Sequence, residues 1–371
     1  MAGELDTGGV ETVVGTLARG LPTLGIDVEV AYSRGGRTES LLRREGVRMV
    51  EVRSEDLHRF VSQREPDIIQ LHRVDSQQMA ALSHLSTRTV PVFHNIELFL
   101  DKRTWSSLKC FVRTAPACIA VSETVRAYFS SRVQRSAEVI ENGSRPVPRI
   151  SPDQHASART RISEALNTTI TEEDILVVGL QRFNVQKNAA GLVDAFLKAA
   201  EENPRLRLVI AGAPNSWLEV RSADITRRRH PAGHRVHFLG DSDSSTLLAA
   251  ADVFALDSFW EGGQVVAVEA LAYGLPTVLS DVGFAREVTA VCGQNGFLVR
   301  RANKDYSQRA VAAQRRRFRQ DNREEFVTAL LAAADLERST NAPLHPNRFT
   351  QAAMVARHAE VLRAALSSKS T

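Results

Sequence analysis

Cysteine is scarce in this chain: Cys110, Cys118 and Cys292 are the three among 371 residues. Their scatter fits neither a disulfide framework nor a metal-ligand spacing, which points to a reducing compartment. No His/Cys cluster accompanies them, so no metal is expected. No apolar run reaches the roughly eighteen residues of a membrane-spanning helix. The first residues lack a charged segment followed by an apolar one, so no secretory signal is expected and the location reads as cytoplasmic. Aromatic residues make up only 6%. The cationic runs Arg227–Arg229 and Arg315–Arg317 therefore lack the interleaved rings of a nucleic-acid platform, and nucleic acid is not an expected partner. The net charge of +4 permits an anionic substrate or peripheral contact with a membrane surface and demands neither. What remains, 43% hydrophobic and 24% charged over this length, is an ordinary globular composition with room for two domains.

Short apolar strands alternate with helical patterns. Residues 26–32, 47–52, 67–71, 89–93, 118–121 and 138–140 read as strands, with helices such as 12–24, 40–45, 57–64 and 123–131 between them. After a Pro/Ser-rich stretch, 145–157, the pattern restarts. Residues 175–178, 206–211, 235–238, 253–256 and 277–279 read as strands; 188–202, 244–250 and 264–273 read as helices. The alternation predicts an α/β chain of two doubly wound, Rossmann-like parallel-sheet domains, 1–150 and 151–345. Ligands of such folds bind at the carboxyl ends of the strands, here in a cleft between the domains. A terminal helix within 346–371 is expected to cross back onto the first domain. The charged stretch 302–323 reads as an exposed, loosely packed helix. The loop 73–78 carries no readable acceptor code.

Two glutamates eight apart, Glu261 and Glu269, carry the most chemistry. Glu261 opens a Gly-rich loop, Gly262-Gly263-Gln264-Val265. Glu269 lies in a helix that Gly274 and Pro276 end. Glycosidase carboxyl pairs stand roughly 5 to 9.5 Å apart. Eight residues of helix separate Cα atoms by about 12 Å and turn them by roughly 80°. The two carboxylates therefore suit two points along an extended ligand, such as a sugar and a ribose, and not one acid–base pair.

Other residues fit the same ligand. Gly8 and Gly9 precede the first helix, where backbone can approach a phosphate and free N–H groups point outward. Arg182 and Lys187 lie in a strand-to-helix loop, where two cations can grip a diphosphate. His94 ends the strand 89–93, well placed to meet substrate. Gly240 follows the strand that ends Val236-His-Phe-Leu. Taken singly, these features also occur as plain turns and solvated loops.

Together they resemble the retaining glycosyltransferases of the GT-B fold, in particular the large family 4. The resemblance runs over nearly the whole chain: Thr7-Gly-Gly-Val-Glu11, Glu65-Pro-Asp-Ile-Ile-Gln-Leu-His72, Val92-Phe-His-Asn95, Ile119-Ala-Val-Ser122, Val139-Ile-Glu-Asn-Gly143, Arg182 with Lys187, Val209-Ile-Ala-Gly212, Val236-His-Phe-Leu-Gly240 and the Glu261/Glu269 motif. It implies a nucleotide diphosphate sugar donor, a hydroxyl acceptor (glycan, natural product or lipid-linked sugar) and retention of configuration. It implies no cofactor and no metal. Glu261 would hold the donor sugar, Glu269 the ribose, and Arg182 and Lys187 the diphosphate. Gly8 and Gly9 would admit the donor phosphates, and His94 would face the sugar–acceptor junction. Backbone near Gly240 and the segment Gly262–Val265 would complete the donor site.

Two departures stand out. The family begins with an apolar strand before its Gly-Gly loop, whereas this chain begins Met-Ala-Gly-Glu-Leu-Asp-Thr-Gly-Gly. The expectation is a first sheet without its central strand, or a start further upstream. The family often has Phe-Gly where Gly263-Gln264 stand. A nucleotide-sugar epimerase on the same fold and a non-catalytic nucleotide-sugar-binding partner stay open as alternatives.

Overall fold

A computed structural model describes residues 1–72, 76–317, 319–338 and 348–367. The boundary expected at 345/346 lies outside the described residues, as does the start of the loop 73–78. The chain divides into two compact units. The first comprises Met1–Ser144, Gly262–Val265 and Asn347–Thr371; the second comprises Arg145–Glu261 and Val266–Pro346.

In the first unit the strands are β1 (Glu4–Leu5), β2 (Val30–Tyr32), β3 (Arg34–Gly35), β4 (Met49–Glu51), β5 (Ile69–Leu71), β6 (Thr89–Phe93), β7 (Ile119–Ala120) and β8 (Glu138–Val139). The ladders β5-β6-β7-β8 and β2-β4 are parallel. The expected missing central strand is corrected here, because the opening residues take that place. The Met1 amine donates to the Gln70 carbonyl at 2.6 Å, and His72 N–H donates to the Met1 carbonyl at 2.9 Å. On the other side Ala2 N–H donates to Ala31 O and Ser33 N–H to Gly3 O, both at 2.9 Å. Ala2 and Leu5 join Val14, Ala18, Val30, Tyr32, Leu42 and Met49 in one core cluster.

The helix Gly9–Thr23 buries Val13, Val14, Leu17, Ala18 and Leu21 on one face. It packs on the terminal helix Gln351–Ser367. A Cβ at Gly20 would meet Val355 Cγ2 at 2.6 Å, so this mid-helix glycine permits the close approach.

The second unit holds β9 (Ile175–Leu180), β10 (Leu206–Ala211), β11 (Val236–Leu239), β12 (Val253–Leu256), β13 (Thr277–Ser280) and β14 (Gly296–Val299). Their order is β11-β10-β9-β12-β13-β14, all parallel. This is the doubly wound order, and its direction reverses between β9 and β12. Strands β9, β10 and β12 are nearly continuous apolar runs because both faces are covered. Val177, Leu208, Ile210 and Val253 meet Leu192, Phe196, Phe326 and Leu330 of the helices.

Two readings of this half change. The Pro/Ser-rich stretch 145–157 does not wait for a restart of the pattern beyond it, since the helix Pro152–Leu166 begins inside it. Ser151 and Gln154 form a capping box with Pro152 in the first turn, a start signal readable as Ser-Pro-Asp-Gln. The stretch 302–323 is not one exposed helix. Among the described residues only Gln308–Arg315 is helical before the helix Arg323–Ala334, and Arg323 is 1% exposed.

Candidate functional site

At the reversal point of the second unit, the loops after β9 and β12 leave the sheet side by side. The first is shaped by Asn184, whose side chain accepts the Lys187 N–H at 3.1 Å and closes a single turn, Val185–Lys187. Asn188 then adopts a left-handed backbone before the helix Ala189–Glu202. Phe259 N–H donates to the Gln186 carbonyl at 2.9 Å, which ties the second loop to the first.

Glu261 is thereby enclosed. Its Oε1 accepts from Lys187 Nζ at 2.5 Å and from Ser258 Oγ at 2.8 Å, and its Oε2 accepts from Gln186 Nε2 at 2.9 Å. The two charged side chains are only 13% and 6% exposed. A buried pair of this kind tolerates loss of neither partner, because the other charge stays behind without solvent. Lys187, expected on a diphosphate, here neutralises Glu261. Arg182 is exposed and makes no ion pair among the described residues.

Glu269 lies in the helix Val265–Ala272, and its carboxyl has no hydrogen-bond partner among the described residues. Burial pushes its pKa up to about 7. Near neutral pH such a carboxyl can donate or accept, which suits a pair of ribose hydroxyls. Gly240 follows β11, and its carbonyl accepts from Gly212 N–H at 3.1 Å and from Ser242 Oγ at 3.0 Å.

Beneath these loops Asp257 is 1% exposed. Its carboxylate accepts from Asn188 Nδ2 (2.9 Å), Ser280 Oγ (2.9 Å), Asn322 Nδ2 (2.8 Å) and Arg323 Nη1 (3.4 Å). One carboxylate thus joins the loops after β9, β12 and β13. Sequence reasoning missed Asp257, Ser258 and Gln186, although Asp257 and Ser258 follow directly on an apolar strand. It also took the chain to have no Asp-x-Asp pair after a strand, which Asp241 and Asp243, following β11, correct. Asp243 is the N-cap of the helix Ser244–Ala250, where it accepts the N–H groups of Ser245 and Thr246 and both their hydroxyls.

In the first unit Gly8 is the N-cap of the helix that Gly9 begins, and a Cβ at Gly9 would lie 3.6 Å from Val265 Cγ2. A Cβ at Gly262 would fall 1.8 Å from the His94 carbonyl oxygen, so only glycine fits without displacing backbone. Gly263 O accepts from Asn142 Nδ2 at 3.1 Å, and Gln264 is buried. His94 does not stand alone. Its Nε2 is 2.9 Å from His72 Nδ1; His72 Nε2 is 3.0 Å from Gln70 Oε1; Gln70 Nε2 is 2.8 Å from His358 Nδ1. Burial drives the pKa of His94 down to about 4 and of His358 down to about 3, and it lowers His72 well below the usual histidine range. All three are neutral imidazoles at pH 7. His72 ends an apolar strand, just as His94 does, and that signal was available in the sequence. His358 gave none, since it lies among the core positions of the terminal helix.

Residues 7–145 match the family described as Glycosyltransferase Family 4, and residues 172–316 match that described as glycosyl transferases group 1. An uncharacterised glycosyltransferase of Methanocaldococcus jannaschii is 29% identical over 174 residues, 46% of this chain and 42% of that one. The D-inositol 3-phosphate glycosyltransferase of Mycobacterium tuberculosis is 37% identical over 95 residues, 24% of this chain and 20% of that protein. The matches thus span less than half the length of these relatives. Anabaena HepE, solved in complex with UDP and glucose, shares the fold with a TM-score of 0.72 at 20% identity, over 98% of each chain. With each half of the chain matched in turn, this protein belongs to the group 1, family 4 glycosyltransferases of the GT-B fold.

Proposed function

We propose that this chain moves a sugar from a nucleotide diphosphate donor to a hydroxyl acceptor, with retention and without a metal ion. The observation that carries the reading is the enclosed Glu261, held by Lys187, Gln186 and Ser258 at the reversal point of the second sheet. Glu261 takes the sugar hydroxyls. Lys187 shares itself between Glu261 and the departing diphosphate, and exposed Arg182 supplies the second cation. Glu269 takes the ribose. Fixed cations of this kind stabilise charge as it develops on the leaving group. HepE was solved with UDP and glucose, which makes UDP-glucose the first donor to try.

The test is release of nucleoside diphosphate from a panel of nucleotide sugars, with and without hydroxyl acceptors. Acceptor-dependent release that disappears in Glu261→Ala, with the anomeric configuration kept in the product, is the expected result. A donor converted to its epimer without acceptor would replace this reading by the epimerase. Donor binding without turnover on any acceptor would favour the non-catalytic partner.

A further inference from the structure

We propose that Gln70 sets the proton order of a buried imidazole chain and so leaves Nδ1 of His94 as a bare hydrogen-bond acceptor for a substrate hydroxyl. The hydroxyl ligand rests on the transferase reading; the proton order does not.

The chain His94–His72–Gln70–His358 is continuous, with contacts of 2.9, 3.0 and 2.8 Å. His72 is 7% and His358 1% exposed, so water does not substitute for a lost partner. A neutral imidazole has one N–H and one lone pair. Each contact therefore fixes the next, and the whole chain has only two self-consistent orders. In the first, Gln70 Nε2 donates to His358 Nδ1, and Gln70 Oε1 accepts from His72 Nε2–H. His72 Nδ1 is then a lone pair and must accept from His94 Nε2–H. His94 Nδ1 is left without a proton. Turning the Gln70 amide over gives the second order, in which every imidazole carries its proton on Nδ1.

The first order is favoured on intrinsic grounds. It puts all three histidines in the Nε2–H form, the more stable tautomer of a free histidine side chain. The second puts all three in the less stable form. Three small preferences act on one amide, because the protons move as a set. Gln70 itself is held at the backbone, where its carbonyl accepts from the Met1 amine at 2.6 Å.

The consequence is a chemical selection at His94. Its Nδ1 has no partner among the described residues. A neutral nitrogen lone pair takes a hydroxyl donor and repels a phosphate oxygen. His94 therefore contacts a sugar or acceptor hydroxyl and not the diphosphate. Gln70 and His72 are positioning residues that act through it.

The test uses the full chain labelled with 15N at histidine, in long-range 1H–15N spectra near pH 7 without substrate, with His94 assigned by the signals lost in His94→Gln. The expected result is an unprotonated Nδ1 and a protonated Nε2. Gln70→Met, close in volume but without an amide, should draw the two His94 nitrogen shifts together. It should also lower kcat by about tenfold, the loss of one oriented hydrogen bond, with donor KM unchanged. A protonated Nδ1 in the parent chain overturns the proposal. So does an unmoved His94 signal in folded Gln70→Met. Should that variant not fold, His358→Phe removes the acceptor that orients the amide, and the same shift is expected or the proposal fails. An unprotonated Nδ1 with kcat unaffected in His94→Ala would overturn the hydroxyl contact while the proton order stands.

Discussion

In the second unit the polar groups under the loops are ionised and matched: Lys187 on Glu261, Arg323 on Asp257 and Asp194. In the first unit one line of buried polar groups is neutral, three imidazoles and an amide, beside the buried carboxylate Glu141 that Arg348 matches. Matched charges repay desolvation only while both partners are present. A line of neutral imidazoles avoids that cost but depends on staying unprotonated. The two halves should therefore fail under different insults, the second under mutation of one partner and the first under acid.

The largest effect should come from breaking the ion pair. Lys187→Ala should lower turnover by about 100- to 1,000-fold, the usual loss for a preorganised charge at the leaving group. It should also destabilise the fold by about 3–5 kcal/mol, since Glu261 stays buried without its cation. The double variant Lys187→Ala/Glu261→Gln should regain much of that stability and none of the activity. Urea melts of the single and double variants measure this. Equal destabilisation in both would show that the two side chains are not coupled.

Acid should reach the first unit next. His94 and His358 have folded pKa values of about 4 and about 3, below the unfolded value of 6.5. The unfolded chain binds more protons between those limits, so stability is fully present above pH 6.5 and falls as pH drops toward 3 to 4. The expected loss between pH 7 and pH 4 is on the order of 3–6 kcal/mol. His358→Leu should flatten that slope. A slope that His358→Leu leaves unchanged would place the acid sensitivity elsewhere.

How much of this contrast was readable beforehand differs between the halves. Parallel-strand runs such as 206–211 and 253–256 were legible to the residue, because both faces are apolar and the ends are marked by polar turns. The opening strand was not, because Met1–Gly3 is too short to show a pattern and is recognised only by its ladder bonds. Glu261, Lys187 and Arg182 were legible as types in loops. That Lys187 and Glu261 bind each other was not, since the contact joins positions 74 apart in sequence. Gln70 and His358, whose side chains meet across 288 positions, gave no local signal at all.

Glu269 sharpens the contrast, being an acid of the second unit that is buried but unmatched. Its folded pKa of about 7 lies above the unfolded 4.5. The folded chain binds the extra proton, so this stabilisation is complete below pH 4.5 and is lost as pH rises through about 7. Partial exposure limits the loss to about 1–2 kcal/mol. Glu269→Gln should remove the fall in stability between about pH 4.5 and pH 7 and leave the histidine-dependent loss at lower pH intact. If that fall between about pH 4.5 and pH 7 persists in Glu269→Gln, Glu269 is not the group that titrates.

The smallest effect should come from EDTA, which is expected to change turnover by less than about twofold, within ordinary assay variation. The one Asp-x-Asp after a strand of the second unit is Asp241 with Asp243. Asp243 already accepts two backbone N–H groups and two hydroxyls at the start of the helix Ser244–Ala250, which leaves its oxygens little capacity for a hard cation. In the proposed reading Arg182 and Lys187 would supply the positive charge that a divalent ion would otherwise bring. Removing metal should therefore be silent, whereas Asp243→Ala should cost about 1 kcal/mol of stability through the lost cap and leave kcat near normal. Loss of turnover in EDTA, restored by Mg²⁺ or Mn²⁺ and abolished in Asp243→Ala, would move the charge on the diphosphate from the Lys187–Glu261 pair to a metal at Asp243. It would then make the second unit a metal half and not an ion-pair half.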